Sequence, residues 1–215
     1  MNRELNQIYE ILEKSYPKGM VPEAKAGGTL YESLVTVMLS AQSKDERTVQ
    51  AANQLFQVAS TPQRMIELGE EEISKLIKPA GLYRNKAKNI VAMSRMLLDT
   101  YDGVVPSTRE ELMLLPGVGR KSADIMLRFE FSEKAIPVDT HVYRLTSRLG
   151  LHSFKNADDV AQMLETETPS EYSSDAHMWL LVHGKRVCRA LRPACGGCVL
   201  VAQCNFSGKR LDISE

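Results

Sequence analysis

All four cysteines of this 215-residue chain fall within its last 28 residues: Cys188, Cys195, Cys198 and Cys204. Their spacing is C-x6-C-x2-C-x5-C, and four thiols scattered at random would rarely share a 17-residue window. Three chemistries use such a set. Two disulfides would close small loops, but nothing else in the chain points to an oxidising compartment. A structural zinc site usually pairs two C-x2-C knuckles, and here there is one. An iron–sulfur cluster takes four thiolates. Spacing favours a metal site and leaves zinc and iron–sulfur both open. Gly196 and Gly197 let the chain turn tightly between ligands. The segment has little apolar material, so a metal is expected to organise it.

The length suits one large domain or two small ones, with enough buried surface to fold without disulfide staples. Apolar residues make up 43% and charged residues 25%, which excludes wholesale disorder. No apolar run reaches the ~20 residues of a membrane helix, and the N-terminus has no signal-peptide core. The expectation is a soluble cytoplasmic protein. Net charge is zero, with 27 bases against 27 acids, but the distribution is uneven. Ala176 to Leu211 holds six bases and no acid, whereas Asn156 to Gly184 holds six acids and no Lys or Arg. A basic segment attracts phosphates, although a solvated face reads the same way.

Helix signals repeat along the chain. Thr29 and Glu32 form a capping box before the apolar run Leu30 to Leu39. Asp45 is expected to cap the next helix, with Val49, Ala52 and Phe56 on its inner stripe. Thr61-Pro62 is a cap followed by a first-turn proline, and Gly81 and Gly103 are helix stops. Ile90, Met93 and Leu97 form a stripe between those stops. Ser107 and Glu110 suggest a second capping box, opening a short helix to Leu114. Further helices are expected from Arg120 to Phe131, after Asp139 to Leu149, and from Asn156 and Ser170 onward. No alternating strand pattern occurs. The predicted fold is all-α.

Between two of these helices lies Leu115-Pro116-Gly117-Val118-Gly119, followed by Arg120 and Lys121. Pro116 ends the first helix, and the glycines permit positive φ and close approach of backbone to another molecule. Backbone N–H groups of such a turn, with the N-terminus of the next helix, form an anion site. A phosphate gripped this way is held without sequence readout. A plain helix–helix turn has the same glycines.

The run from Leu115 to Ala123, the run Val138-Asp139-Thr140-His141-Val142-Tyr143-Arg144 and the cysteine spacing together resemble the endonuclease III family of helix–hairpin–helix DNA glycosylases. Leu39-Ser40-Ala41-Gln42-Ser43-Lys44-Asp45 and Ala80 to Ala87 are similar to that family too. The resemblance implies a [4Fe–4S] cluster on the four cysteines rather than zinc. It also implies two all-α domains. Residues 22–130 would be a six-helix barrel ending in the helix–hairpin–helix; residues 1–21 plus 131–215 would carry the cluster. DNA would lie in the cleft between the two.

The implied activity is base excision repair: a bifunctional DNA glycosylase/AP lyase removing oxidised pyrimidines from duplex DNA. Such an enzyme extrudes the damaged nucleotide at a cost of roughly a few kcal/mol. Lys121 matches the family's catalytic lysine, and the helix dipole, Arg120 and partial burial would disfavour its charged form. Asp139 matches the catalytic aspartate, whose carboxylate stabilises the sugar cation. Read without the family, Lys121 is a phosphate contact and Asp139 a helix N-cap. Gln42 and Leu82 match the positions that fill the gap left by the flipped nucleotide. Gly117, Val118, Gly119, Arg120, His141, Arg144, Arg189 and Arg192 complete the expected DNA contacts. His177 and His183 are read as packing or phosphate contacts, since four thiolates complete a cluster. His152 is given no role.

Three departures from the family pattern stand out: Ser122 in place of Thr, Asp124 in place of Asn, and Ser43-Lys44 in place of Ala-Thr. Asp124 is expected to set a negative charge near the DNA face. Alternatives are a catalytically weak or silent protein binding damage or abasic sites, and a monofunctional glycosylase of the same superfamily. Lys121 and the end of the chain at Glu215 speak against the latter. A zinc-stabilised interaction module is a fourth reading. The expected partner is double-stranded DNA with a damaged base or abasic site, met by a monomer, nucleoid-associated if the source is bacterial.

Overall fold

Side-chain caps set most of the helix boundaries in the computed structural model, which describes residues 3–16 and 28–211. Among these residues there are ten helices, joined by turns, and no strand. Contacts divide the chain into two compact units, Ala24–Glu133, and Met1–Glu23 with Lys134–Glu215. The expected boundary at residue 22 lies outside the described residues. No described helix is long and apolar enough to cross a membrane.

The first unit holds α2 (Leu30–Ser40), α3 (Asp45–Phe56), α4 (Pro62–Leu76), α5 (Tyr83–Tyr101), α6 (Arg109–Leu114) and α7 (Arg120–Phe129). Thr29 and Glu32 make the capping box of α2, and Thr61 caps α4 with Pro62 behind it. Ile90, Met93 and Leu97 of α5 are wholly buried. Four expectations change. Asp45 is the first residue of α3 rather than its cap, where its charge favours the positive helix end. The buried stripe of α3 is Thr48, Ala51, Ala52 and Leu55, and Val49 is exposed. The cap of α6 is Thr108, one residue later than Ser107, bonded to the Glu111 amide and carboxylate. The helix α7 also stops at Phe129, two residues short of the predicted end.

The second unit holds α1 (Arg3–Ser15), α8 (Thr140–Leu149), α9 (Ala157–Glu167) and α10 (Ala176–Arg186). Asp139 caps α8 and Asn156 caps α9. Ser170 opens only a run of turns, and α10 begins at Ala176. The core joins Leu5, Ile8 and Leu12 of α1 to Val142, Leu145 and Leu149 of α8, with Trp179 and Leu180 of α10. Tyr9 packs against Trp179 and Tyr172 and hydrogen-bonds Thr168 Oγ1 at 2.8 Å.

The close approach of α8 and α10 requires glycine. A Cβ on Gly184 would lie 2.7 Å from the carbonyl oxygen of His141. That backbone cannot retreat without moving the start of α8. Gly184→Ala should therefore cost about 2 kcal/mol through overpacking, lowering the melting temperature by about 4–8 °C. Thermal unfolding followed by circular dichroism checks this.

Candidate active site and cysteine pocket

Pro116 ends α6 and leads into a turn that the structure forms tightly. The Val118 amide donates to Leu115 O at 3.0 Å, and the Val118 side chain is buried. Val118 thus anchors the turn, and its amide is not a free phosphate donor as expected. Gly117 has φ +82, and a Cβ there would meet the Asn89 side chain at 2.8 Å. Gly117 and Gly119 are exposed. The helix α7 starts from Gly119 with no side-chain cap. The first amides of any helix have no partner within the helix, and this start lacks a capping side chain. Lys121 sits in this first turn, half-buried.

Asp124 is placed differently from the expectation. It is fully buried, not at a DNA face, and its carboxylate accepts from Arg109 Nε at 2.6 Å and Arg120 Nε at 3.2 Å. The carboxylate welds the start of α6 to the start of α7, the two helices flanking the turn. Its charge is neutralised inside the protein. Arg120 is held by the same bond, so its guanidinium reaches outward only in part.

Gln42 and Leu82 share a conformation. Both have positive φ, +52 and +46, which non-glycine residues rarely adopt. Both are exposed, Leu82 at 57%. An exposed leucine on a strained backbone is not a core residue. Beside Gln42, the Ser43 hydroxyl is buried without a hydrogen-bond partner among the described residues.

Asp139 is an N-cap: Oδ1 accepts from the His141 and Val142 amides at 2.8 and 2.9 Å. Capping uses one oxygen and leaves Oδ2 for other work. The cap and a chemical role are therefore compatible. His141 is half-buried, with Nδ1 3.2 Å from Arg144 Nη2. Arg144 is committed to the fold. It donates to Cys188 O at 2.9 Å, Gly184 O at 2.8 Å and Thr140 O at 3.3 Å.

The four thiols line one small pocket with Leu145, Leu149, Val187, Pro193 and Phe206. Among the described residues no three His, Cys, Asp or Glu side chains converge as a single metal ion needs. Arg148, unnoticed in the sequence, organises this segment. Its guanidinium donates to Cys188 Sγ at 3.4 Å, Arg189 O at 2.8 Å and Ala190 O at 3.1 Å, and lies 4.3 Å over the Phe206 ring. His183 is fully buried and is not a phosphate contact. Burial pushes its pKa down to about 4, so it is neutral. Its Nδ1 lies 3.1 Å from Tyr16 Oη and its Nε2 3.3 Å from Cys198 Sγ. With Tyr16 donating, Nε2–H points at the sulfur. Burial raises the Cys198 pKa, with the hydrogen bond from the Leu200 backbone acting against the rise. His177 is buried, with Nδ1 2.8 Å from Pro137 O. His152 contacts Thr146 Oγ1 and stacks on Phe154. Arg189 and Arg192 are exposed, and Arg192 has φ +53.

Residues 35–170 match the HhH-GPD superfamily of base excision DNA repair proteins. Endonuclease III of Escherichia coli strain K12 is 41% identical over 179 residues, covering 83% of this chain and 85% of that one. Endonuclease III of Rickettsia prowazekii is 37% identical over 206 residues, 94% of each chain. A solved endonuclease III–DNA complex, trapped as a covalent intermediate, matches with a TM-score of 0.87 and 36% identity, over 95% of this chain and 96% of that one.

The buried ion pairs of Asp124 carry a measurable consequence. Asp124→Ala leaves Arg109 and Arg120 without their shared carboxylate and should cost about 3 kcal/mol. Asp124→Asn, which keeps an acceptor, should cost less. Chemical denaturation distinguishes them, and wild-type stability in both would show that the triad contributes nothing.

Proposed function

This chain belongs to the HhH-GPD superfamily of base excision DNA repair proteins, and from that premise we propose that it is a bifunctional DNA glycosylase and AP lyase acting on oxidised pyrimidines in duplex DNA. The observation that carries the reading is Lys121, an amine in the first turn of an uncapped helix that comes after a two-glycine turn. The turn and the open helix end bind a backbone phosphate. The Lys121 amine attacks C1′ of the extruded nucleotide. The glycosidic bond breaks, and the base leaves with its electron pair and takes up a proton. Ring opening gives a Schiff base between Nζ and C1′. Loss of a proton from C2′ then expels the 3′ phosphate oxygen, cutting the strand. The carboxylate of Asp139, through Oδ2, stabilises the cationic sugar and assists proton transfer. Gln42 and Leu82 fill the gap in the duplex, one by hydrogen-bonding the orphaned base, the other by wedging a base step.

Residues 22–130 are assigned to the six-helix barrel, and 1–21 with 131–215 to the cluster domain. In support, Ala24–Glu133 is one contact unit and holds six described helices. The four cysteines fit a [4Fe–4S] cluster. They line one pocket with apolar walls, while Arg148 and His183 supply N–H donors to sulfur. Four thiols and no further ligand are the donor set that a [4Fe–4S] cluster would take. Cys188, Cys195, Cys198 and Cys204 would hold the cluster as thiolates, and their shared ligation would tie the loop into one frame. That loop presents Arg189 and Arg192 to phosphates.

Three outcomes are expected. Borohydride traps a covalent adduct on duplexes carrying either thymine glycol or an abasic site, and Lys121→Ala abolishes both. An adduct on neither, with DNA binding intact, would favour the silent damage binder. The purified protein shows the visible absorbance of an iron–sulfur cluster, which a zinc protein lacks, and Cys198→Ser loses that band. The double variant Arg189→Ala/Arg192→Ala binds duplex more weakly and with a salt slope shallower by about one per arginine.

A further inference from the structure

Lys86 is the most deeply buried lysine among the described residues, 7% exposed, and its ammonium is held by backbone rather than by a carboxylate. It donates to two main-chain carbonyls, Leu39 O at 2.6 Å and Ala80 O at 2.9 Å. Burying a charge is costly, and a leucine or methionine of similar size would fill the space. The charge is retained where two backbone ends need it. Leu39 lies in the last turn of α2, whose carbonyls have no partner within the helix. Ala80 ends the 3-10 turn Lys78–Ala80. A cation at such ends is favourable twice, as a hydrogen-bond donor and against the negative helix pole.

The residues just downstream of each carbonyl give this bond its importance. Gln42 comes three residues after Leu39, and Leu82 two residues after Ala80. Both are exposed and both hold positive φ. Gly81 between Ala80 and Leu82 also has positive φ, +67. Lys86 itself lies one turn into α5, with its amide bonded to Leu82 O at 3.0 Å. A single side chain thus pins the base of both strained loops and sets their separation.

We propose that Lys86 is a positioning residue for duplex recognition: its ammonium locks the Leu39 and Ala80 carbonyls so that Gln42 and Leu82 enter the duplex as a preorganised pair. It touches neither base nor sugar and acts through the two loops. That role rests on the gap-filling reading of Gln42 and Leu82. Strained backbone at both tips is stable only if the surrounding structure over-determines it, and Lys86 supplies that constraint.

The test compares borohydride trapping at an abasic site in duplex DNA and in single-stranded DNA of the same sequence. A single strand has no orphaned base and no gap to fill. The proteins are wild type, Lys86→Met, Gln42→Ala/Leu82→Ala and the triple variant, each as cluster-loaded protein checked by thermal melting. The ratio of duplex to single-strand trapping rates should fall about tenfold or more in Lys86→Met, the effect of losing charged hydrogen bonds. It should fall in the double variant as well, and the triple variant should be little worse than the double. Equal losses on both substrates in folded Lys86→Met would make the lysine merely structural and overturn the proposal. So would a wild-type ratio in Lys86→Met beside a reduced ratio in the double variant. A wild-type ratio in the double variant would instead overturn the gap-filling reading itself. If Lys86→Met does not melt cooperatively, Lys86→Gln, whose amide keeps a donor, carries the same comparison.

Discussion

A helix leaves backbone groups unsatisfied at both ends, and this protein's candidate functional residues are its answers to that constraint. The start of α8 is closed by Asp139, which spends one carboxylate oxygen on two amides. The start of α7 follows Gly119 with no side-chain cap, the feature on which the proposed phosphate grip rests. The ends of α2 and of the 3-10 turn are closed by Lys86. The carbonyls at the end of α10 and in the cysteine segment are closed by Arg144 and Arg148. Three of these residues are long cations whose charge is used inside the fold.

Arg144 and Arg148 stand four apart on α8 and so face the same way. Between them they reach Gly184, Cys188, Arg189 and Ala190, which makes α8 the template for the cysteine loop. The loop has few apolar side chains, and protein groups contribute to its order beside the expected metal. An arginine sandwiched between main-chain carbonyls and the Phe206 ring does part of that work. Gly184 allows α10 close enough for Arg144 to bridge the two helices.

Much of this was legible in the sequence. Caps at Thr29, Thr61, Asp139 and Asn156 are local signals, readable because the bonds they make span two or three residues. The cysteine spacing and the glycines of the turn are local too. Long-range bonds were not legible. Nothing near Asp124 in sequence announces Arg109 as its partner, so its charge was misplaced at the surface. Lys86 sat within a recognised run, but its two acceptors depend on how α2 and the 3-10 turn meet α5. Leu82 is a different case. The family resemblance singled it out for gap filling, and its exposure and positive φ, which no local pattern announces, accord with that expectation. The misread caps of α3 and α6 were errors of one residue, within the normal ambiguity of adjacent Ser, Thr and Asp.

Everything proposed for the chemistry depends on the amine in the first turn of α7 being the nucleophile. Mass spectrometry of the proteolysed, borohydride-reduced adduct with an abasic duplex measures this most directly. The sugar remnant should map to Lys121 and to no other amine. A remnant on another lysine or on the N-terminal amine would contradict the assignment, and would reduce Lys121 to a phosphate contact.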